Sequence, residues 1–141
     1  MSTHKTPHAA LAAALAEMSS PKADKVNPAF KSKYASLDGI LDTVRPVLGK
    51  HGLALSQSLV STEGRVGVRT SIVHPEGIID LGEISIAVKP DTTAQMVGSS
   101  ITYLRRQSIQ AAMGIATDTD DDGAAASAPA RTWGSKEASR G

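Results

Sequence analysis

The chain has 141 residues, the length of one domain with a short tail, and it contains no cysteine. That absence excludes a disulfide framework, thiolate catalysis and cysteine-based zinc or iron–sulfur sites. Residues 1–117 carry twelve Lys or Arg against nine Asp or Glu, a balance of +3, while the whole chain has a formal charge of +1. A mildly basic front permits a nucleic-acid partner without requiring one.

The alanine-rich segment 8–18 predicts a first helix, with Leu11, Leu15 and Met18 on one face. It lacks the strongly apolar centre of a signal peptide, and no run in the chain approaches the ~20 apolar residues of a membrane span. The polar and basic residues 19–35 that follow predict an irregular loop.

A second helix is predicted between Ser36, a good N-cap, and Gly52, a suitable stop. Three segments of alternating polarity follow, over residues 53–60, 65–72 and 79–88, and turn signals separate them. They predict an antiparallel meander. In the third segment the apolar residues change phase at Gly82-Glu83, which is typical of a β-bulge.

A long helix is predicted from a cap at Thr92 or Thr93 to about Gly114. Its adjacent arginines, Arg105 and Arg106, project about 100° apart, so we expect at most one beside the buried side. Beyond it lie an acidic run and a tail poor in apolar residues, and we expect residues 124–141 to be disordered.

No motif for catalysis or for a cofactor is present. Gly98-Ser99-Ser100 lacks the lysine of a phosphate-binding loop, and a calcium loop starting at Asp118 has Pro129 where a glutamate is needed. A looser magnesium site at the aspartates of 118–122 remains an alternative to a solvated acidic run. His4 and His8 are four residues apart but lie in a terminus that we expect to fray, and no two histidines share a helix face beside a carboxylate. We expect each histidine to lie at the surface: His4, His8, His51 and His74. We therefore predict a protein that is not an enzyme and has no cofactor.

A binding function remains, carried by basic and aromatic side chains. The candidates for phosphate contacts are Lys31, Lys33, Arg65, Arg69, Arg105 and Arg106. Those for stacking on bases are Phe30, Tyr34 and Tyr103. The alternative for Phe30 and Tyr34 is packing of the loop onto the core, and for Tyr103 a core or subunit contact.

Several motifs together resemble the ERF family of phage and prophage recombination proteins, which bind single-stranded DNA and anneal complementary strands. The first block comprises residues 27–37 (NPAFKSKYASL), Val44-Arg45-Pro46 and residues 50–53 (KHGL). The second block comprises residues 95–106 (QMVGSSITYLRR), Gly114-Ile115 and residues 120–123 (DDDG). The resemblance covers residues 21–123. Two positions depart from the family pattern, Ala29 and Gln107, where an aromatic is usual.

The resemblance implies an α+β fold: a three-stranded antiparallel meander packed against a long C-terminal helix, with N-terminal helices, similar to ring-forming annealing proteins. Together with the segments described above, it divides the chain into an N-terminal helix in residues 1–20, a single-stranded-DNA-binding core in 21–117, and an acidic and then disordered tail in 118–141. It also implies homo-oligomeric rings or filaments, annealing without ATP, a location in the bacterial cytoplasm, and host or phage recombination proteins as possible partners.

On this basis we expect one groove for the sugar–phosphate backbone, formed by arginines of the long helix, arginines of the strands and lysines of the loop. Two other functions stay open. The chain could be a structural or adaptor protein that binds proteins through its basic loop and acidic tail. It could also be a metal-dependent nuclease that uses the aspartates of residues 118–122.

Overall fold

A computed structural model describes residues 4–22, 25–26 and 33–116 and shows, within them, three helices, a three-stranded sheet and a two-stranded ribbon. The predicted α+β class is therefore confirmed. In chain order the elements are α1 (Pro7–Glu17), β1 (Lys25–Val26), β2 (Lys33–Tyr34), α2 (Leu37–Lys50), β3 (Ala54–Thr62), β4 (Arg65–His74), β5 (Gly77–Ala87) and α3 (Ala94–Met113).

The main sheet is the predicted antiparallel meander, in the order β3-β4-β5. The predicted bulge is also present. Arg69 and Ser71 of β4 pair with Glu83 and Asp80 of β5. One residue separates the pair in β4, Thr70, but two separate the pair in β5, Leu81 and Gly82. The φ of 101° at Gly82 suits glycine. Because of the bulge, the apolar residues of β5 on either side of it face the same side of the sheet.

The helix ends follow the sequence signals. Ser36 and Thr93 are the N-caps of α2 and α3, and each side-chain oxygen accepts a backbone N–H at 3.1 Å, from Gly39 and Met96 respectively. The predicted caps are therefore confirmed. No helix within the described parts of the chain is long and apolar enough to cross a membrane.

The core lies between the helices and one face of the sheet. Helix α1 contributes Ala10 and Ala14 to it, although a helix of this length is marginal in isolation. The other fully or nearly fully buried apolar residues of this cluster include Ile40, Val44 and Leu48 of α2, Ile72 of β4, and Ile109 and Met113 of α3. The sheet face that contacts the helices is called the helix face below, and the other the outer face.

The segment 19–35 is not wholly irregular, which corrects the sequence-based prediction. Lys25 and Val26 pair antiparallel with Tyr34 and Lys33. Strands of two residues are too short to show a period-two pattern, although Val and Tyr both favour strands. The segment between these two strands lies outside the described residues.

The prediction of surface histidines is wrong for His51 and His74, which are both buried. His51 Nε2 lies 2.9 Å from a carboxylate oxygen of Glu17, and its Nδ1 lies 3.0 Å from Nε2 of His4. His74 Nε2 donates to the carbonyl oxygen of His4 at 2.9 Å. These partners are far apart along the chain, so no local sequence pattern could indicate them.

Candidate nucleic-acid interface

Helix α3 places Arg106 between two aromatic rings. Its guanidinium carbon lies 4.4 Å from the ring centroid of Tyr34 and 5.5 Å from that of Tyr103. Both distances are within the range of a cation–π interaction. Arg106 Nε is buried and has no hydrogen-bond partner among the described residues. Three of the residues singled out in the sequence therefore form one cluster, which we call the aromatic–arginine cluster.

The two tyrosines of this cluster differ in exposure. Tyr34 is half-buried. Tyr103 is 53% exposed, so much of its ring is accessible to a ligand or to another subunit. Ring and cation hold each other in place, which reduces the conformational entropy that either side chain would lose on binding.

Arg105 lies on the helix face of the sheet beside β3. Its Nε donates to Gln57 Oε1 at 3.2 Å, while Gln57 Nε2 lies within hydrogen-bonding distance of the Arg105 carbonyl oxygen (3.3 Å) and of Thr70 Oγ1 (3.1 Å). Arg105 and Arg106 are both only partly buried. We expected at most one of these arginines beside the buried side of α3. Instead both are partly buried, because Gln57 of the sheet binds Arg105 and the rings of Tyr34 and Tyr103 contact Arg106.

Arg65 and Arg69 lie on the outer face, because side chains alternate along β4 and the intervening residues Val66, Val68 and Thr70 are buried under the helices. Arg65 Nε and Nη2 donate to the hydroxyl and carbonyl oxygens of Ser85, each at 3.0 Å. The structure does not bring Arg65 and Arg69 together with the arginines of α3, so one subunit does not form the single groove that we expected.

Arg69 is also neutralised where it lies. Its two terminal nitrogens bind carboxylate oxygens of Asp80 and Glu83, both at 2.8 Å. The hydrogen bond to Asp80 and then that to Glu83 raise the pKa of the Arg69 guanidinium. The backbone N–H of Gly82, followed by Arg69, lowers the pKa of the Asp80 carboxyl. The outer face around Arg69 is therefore not a cationic surface.

The lysine candidates are only partly located. Lys33 lies in β2 next to Tyr34. Lys31 and Phe30 lie outside the described residues, as do the acidic run 118–122 and the tail. Their predicted roles stay predictions.

Four of the nine residues predicted for the site thus lie in α3 or contact it: Tyr34, Tyr103, Arg105 and Arg106. A scan against protein-family models matches residues 8–139 to the ERF superfamily. The chain belongs to the ERF superfamily. Searches of the curated proteins and of the solved structures gave no significant match. At the level of the family, this membership points to DNA binding, recombination and single-strand annealing.

Sequence reasoning missed two polar residues at the interface of this ERF-superfamily protein. One is Gln57, which holds Arg105. The other is Arg45 of α2, which lines a pocket together with Arg105. A signal for Arg45 was available, since it follows the buried Leu41 by four residues and Val44 by one, at the edge of the apolar side of α2. For Gln57 the only signal was its position on the apolar side of a strand.

Within the part of this ERF-superfamily protein that the structure describes, no group of three His, Asp or Glu side chains could hold a metal ion. The histidine contacts described above bind α1 and the preceding residues to α2 and β4. They lie in a separate pocket of about 170 Å³ that is lined by His4, His51 and His74 but not by the arginines of α3.

Proposed function

We propose that this protein binds single-stranded DNA and anneals complementary strands without ATP, as a non-enzymatic step of phage homologous recombination. Membership of the ERF superfamily over residues 8–139 carries this proposal. In this proposal the protein acts in the cytoplasm of the bacterial host, beside host or phage recombination proteins, and needs no cofactor.

The charges of the helix face support a contact with the sugar–phosphate backbone. Among the described residues, the ion pairs join Glu17 to Lys50 and His51, and Arg69 to Asp80 and Glu83. Neither Arg105 nor Arg106 takes part in one. Two half-buried guanidinium groups without a carboxylate partner attract phosphate groups more strongly than neutralised or fully solvated ones.

The aromatic–arginine cluster supports a contact with bases. A base can stack on the exposed ring of Tyr103, a type of contact that tolerates any sequence. Strands held in an extended form by such contacts lose their hairpins and leave their pairing edges open. Complementary strands then meet more readily, so that annealing requires no energy source.

Assembly into a ring or filament supplies the affinity that one subunit lacks. A balance of +3 over residues 1–117 is small for a nucleic-acid-binding protein. Repeating the site in a homo-oligomer multiplies a few phosphate contacts through effective concentration. The meander leaves β3 and β5, of 9 and 11 residues, as edge strands that a neighbouring subunit can extend.

The binding test measures the fluorescence anisotropy of a labelled poly-dT oligonucleotide between 50 and 300 mM salt. Replacing both arginines of α3 by Ala (Arg105→Ala with Arg106→Ala) should weaken binding and lower the slope of log K against log salt by about 1.4, at roughly 0.7 per phosphate contact. The matched control, Arg65→Ala with Arg69→Ala, removes two charges from the outer face and should leave the slope unchanged. Equal slopes for wild type and the α3 variant would remove these arginines from the interface.

The same preparation separates the alternative functions. Wild-type protein should speed the pairing of complementary oligonucleotides with neither nucleotide nor magnesium present. An adaptor protein would not bind the oligonucleotide at any salt concentration. A metal-dependent nuclease would shorten it when magnesium is added.

A further inference from the structure

A pocket of about 280 Å³ lies between α2, β3 and α3, on the helix face of the sheet. It is lined by Leu41, Arg45, Leu55, Ser56, Gln57 and Arg105. Its volume is below the roughly 300 Å³ at which pockets for drug-sized ligands begin. The pocket therefore suits a small charged group with a few water molecules better than a whole nucleoside.

The pocket combines two positive charges with no negative one. Arg45 and Arg105 both line it, and none of its lining residues is acidic. Among the described residues, no carboxylate forms an ion pair with either arginine. Two guanidinium groups at one small pocket repel each other unless an anion lies between them. On the outer face, by contrast, Arg69 is bound by two carboxylates.

Arg105 is held in place before any ligand arrives. Its Nε donates to Gln57 Oε1, while Gln57 Nε2 is within hydrogen-bonding distance of the hydroxyl of the buried Thr70. Among the described residues the two terminal nitrogens of Arg105 form no hydrogen bond, and their planar arrangement suits a planar or tetrahedral anion. An arginine fixed in this way loses little conformational entropy on binding.

We infer that this pocket binds a phosphate group of the nucleic-acid backbone through Arg45 and Arg105. This inference rests on the proposed function and adds Arg45 to it as a binding residue. Arg105 directly precedes Arg106 on α3, which places the pocket and the aromatic–arginine cluster on neighbouring sides of this helix, about 100° apart around its axis. The pocket then fixes the backbone while the exposed ring of Tyr103 receives a base.

The first experiment replaces Arg45 by Gln and measures binding of poly-dT against salt. Loss of one phosphate contact should lower the slope by about 0.7, which corresponds to about threefold weaker binding at 0.2 M salt and about eightfold at 0.05 M. Arg45→Lys keeps the charge and should recover most of the slope. Arg65→Gln removes one charge from the outer face and is the matched control. Equal slopes for Arg45→Gln and wild type would overturn the inference.

The second experiment uses inorganic phosphate as the probe and does not depend on DNA binding. Phosphate, but not chloride at the same ionic strength, should shift the NMR signals of Arg105 Nε–H and of the Gln57 side-chain amide. These shifts should disappear in Arg45→Gln.

The two experiments distinguish the two claims. If wild type binds no oligonucleotide but phosphate still shifts these signals, the proposed function fails and the pocket stands. If wild type binds the oligonucleotide but phosphate shifts nothing, the pocket is wrong and the proposed function stands.

Discussion

At the residue scale, the position of Arg105 depends on Gln57. Alternation along β3 places Gln57 on the same side as the core residue Leu53 and the half-buried Leu55, which the sequence already indicated. An amide at such a position must find hydrogen-bond partners, because an unpaired polar group is costly to bury. It finds them in the side chain of Thr70 and in the side chain and backbone of Arg105. A polar residue in an apolar row thus connects the sheet to the candidate interface.

Replacing Gln57 by Leu, which has a similar volume, should lower the free energy of unfolding by about 1–3 kcal/mol. The hydroxyl of Thr70, 2% exposed, loses its side-chain partner, and Arg105 loses the acceptor for its Nε. Urea denaturation checks the stability, with Ser58→Ala on the opposite side of the same strand as the control. Unchanged stability in Gln57→Leu would show that these hydrogen bonds contribute nothing.

At the element scale, the bulge in β5 lets one strand present apolar residues from two alternation phases to the same side. Ile79 and Leu81 before the bulge pack against the core, and Ile84 pairs with the buried Val68 after it. A regular strand would turn one of these sets to the outer face. The phase change was visible in the sequence because the core requires apolar residues at both sets of positions.

Gly82 and Gly98 should respond oppositely to replacement by Ala. Nothing lies within 4 Å of an added Cβ at either position, so the backbone decides the effect. Gly82 has a φ of 101°, and Gly82→Ala should cost about 1–2 kcal/mol, whereas Gly98 is inside α3 and Gly98→Ala should stabilise by about 0.8–1 kcal/mol. Thermal unfolding of both variants checks the signs. Two shifts of the same sign would contradict this assignment of the bulge and helix.

The junction of α1 and α2 should depend on pH through Glu17. Hydrogen bonds from Lys50, and then from His51, lower the pKa of the Glu17 carboxyl in the folded protein. The ionised Glu17 carboxylate therefore stabilises the folded protein fully above the unfolded-state pKa of about 4.3. This contribution is lost as the pH falls through the lowered folded-state pKa. Urea midpoints of wild type and Glu17→Gln should differ at pH 6 and converge as the pH falls through the folded-state value, with Glu63→Gln as the control. A difference that does not shrink as the pH falls would assign the effect to something other than the carboxylate.

At the scale of the whole molecule, the two sides of the sheet carry different charges. The helix face has arginines without carboxylate partners among the described residues, whereas on the outer face Arg69 binds two acids and the exposed Arg65 binds Ser85. Leu59 lies on the helix face of edge strand β3 and is 64% exposed. An unpaired strand edge with an exposed apolar side chain is a common place for subunits to join.

Replacing Leu59 by Lys should reduce the proposed oligomers, because a charged edge strand resists pairing. Binding of single-stranded DNA should weaken as well, even though the variant gains a positive charge, since the sites are no longer linked. Light scattering after size-exclusion chromatography measures the assembly, and Ser71→Lys on the outer face of the central strand carries the same added charge. Tighter DNA binding by Leu59→Lys with fewer oligomers would show that one subunit suffices.

The elements and the bulge could be predicted because each has a local cause. The caps Ser36 and Thr93, the turns and the alternating strands all act within a few residues. Four of the six residues of the candidate site could be predicted for a similar reason, since basic and aromatic residues are recognisable by type, whereas Gln57 and Arg45 were missed. Arg65 and Arg69 looked equally suitable in the sequence, because residue type does not show that Arg65 binds Ser85 or that two carboxylates neutralise Arg69.

By itself the sequence determined the α+β class, the meander with its bulge, the helix ends and the membership of the ERF superfamily, which all depend on short-range patterns. Only the tertiary structure decided which arginines share a face, that Arg106 lies against Tyr34, and that Arg45 and Arg105 line one pocket. These contacts join residues up to 72 positions apart, from Tyr34 to Arg106. Their geometry comes from the packing of helices on a twisted sheet, and that packing has no signature in any single stretch of the chain.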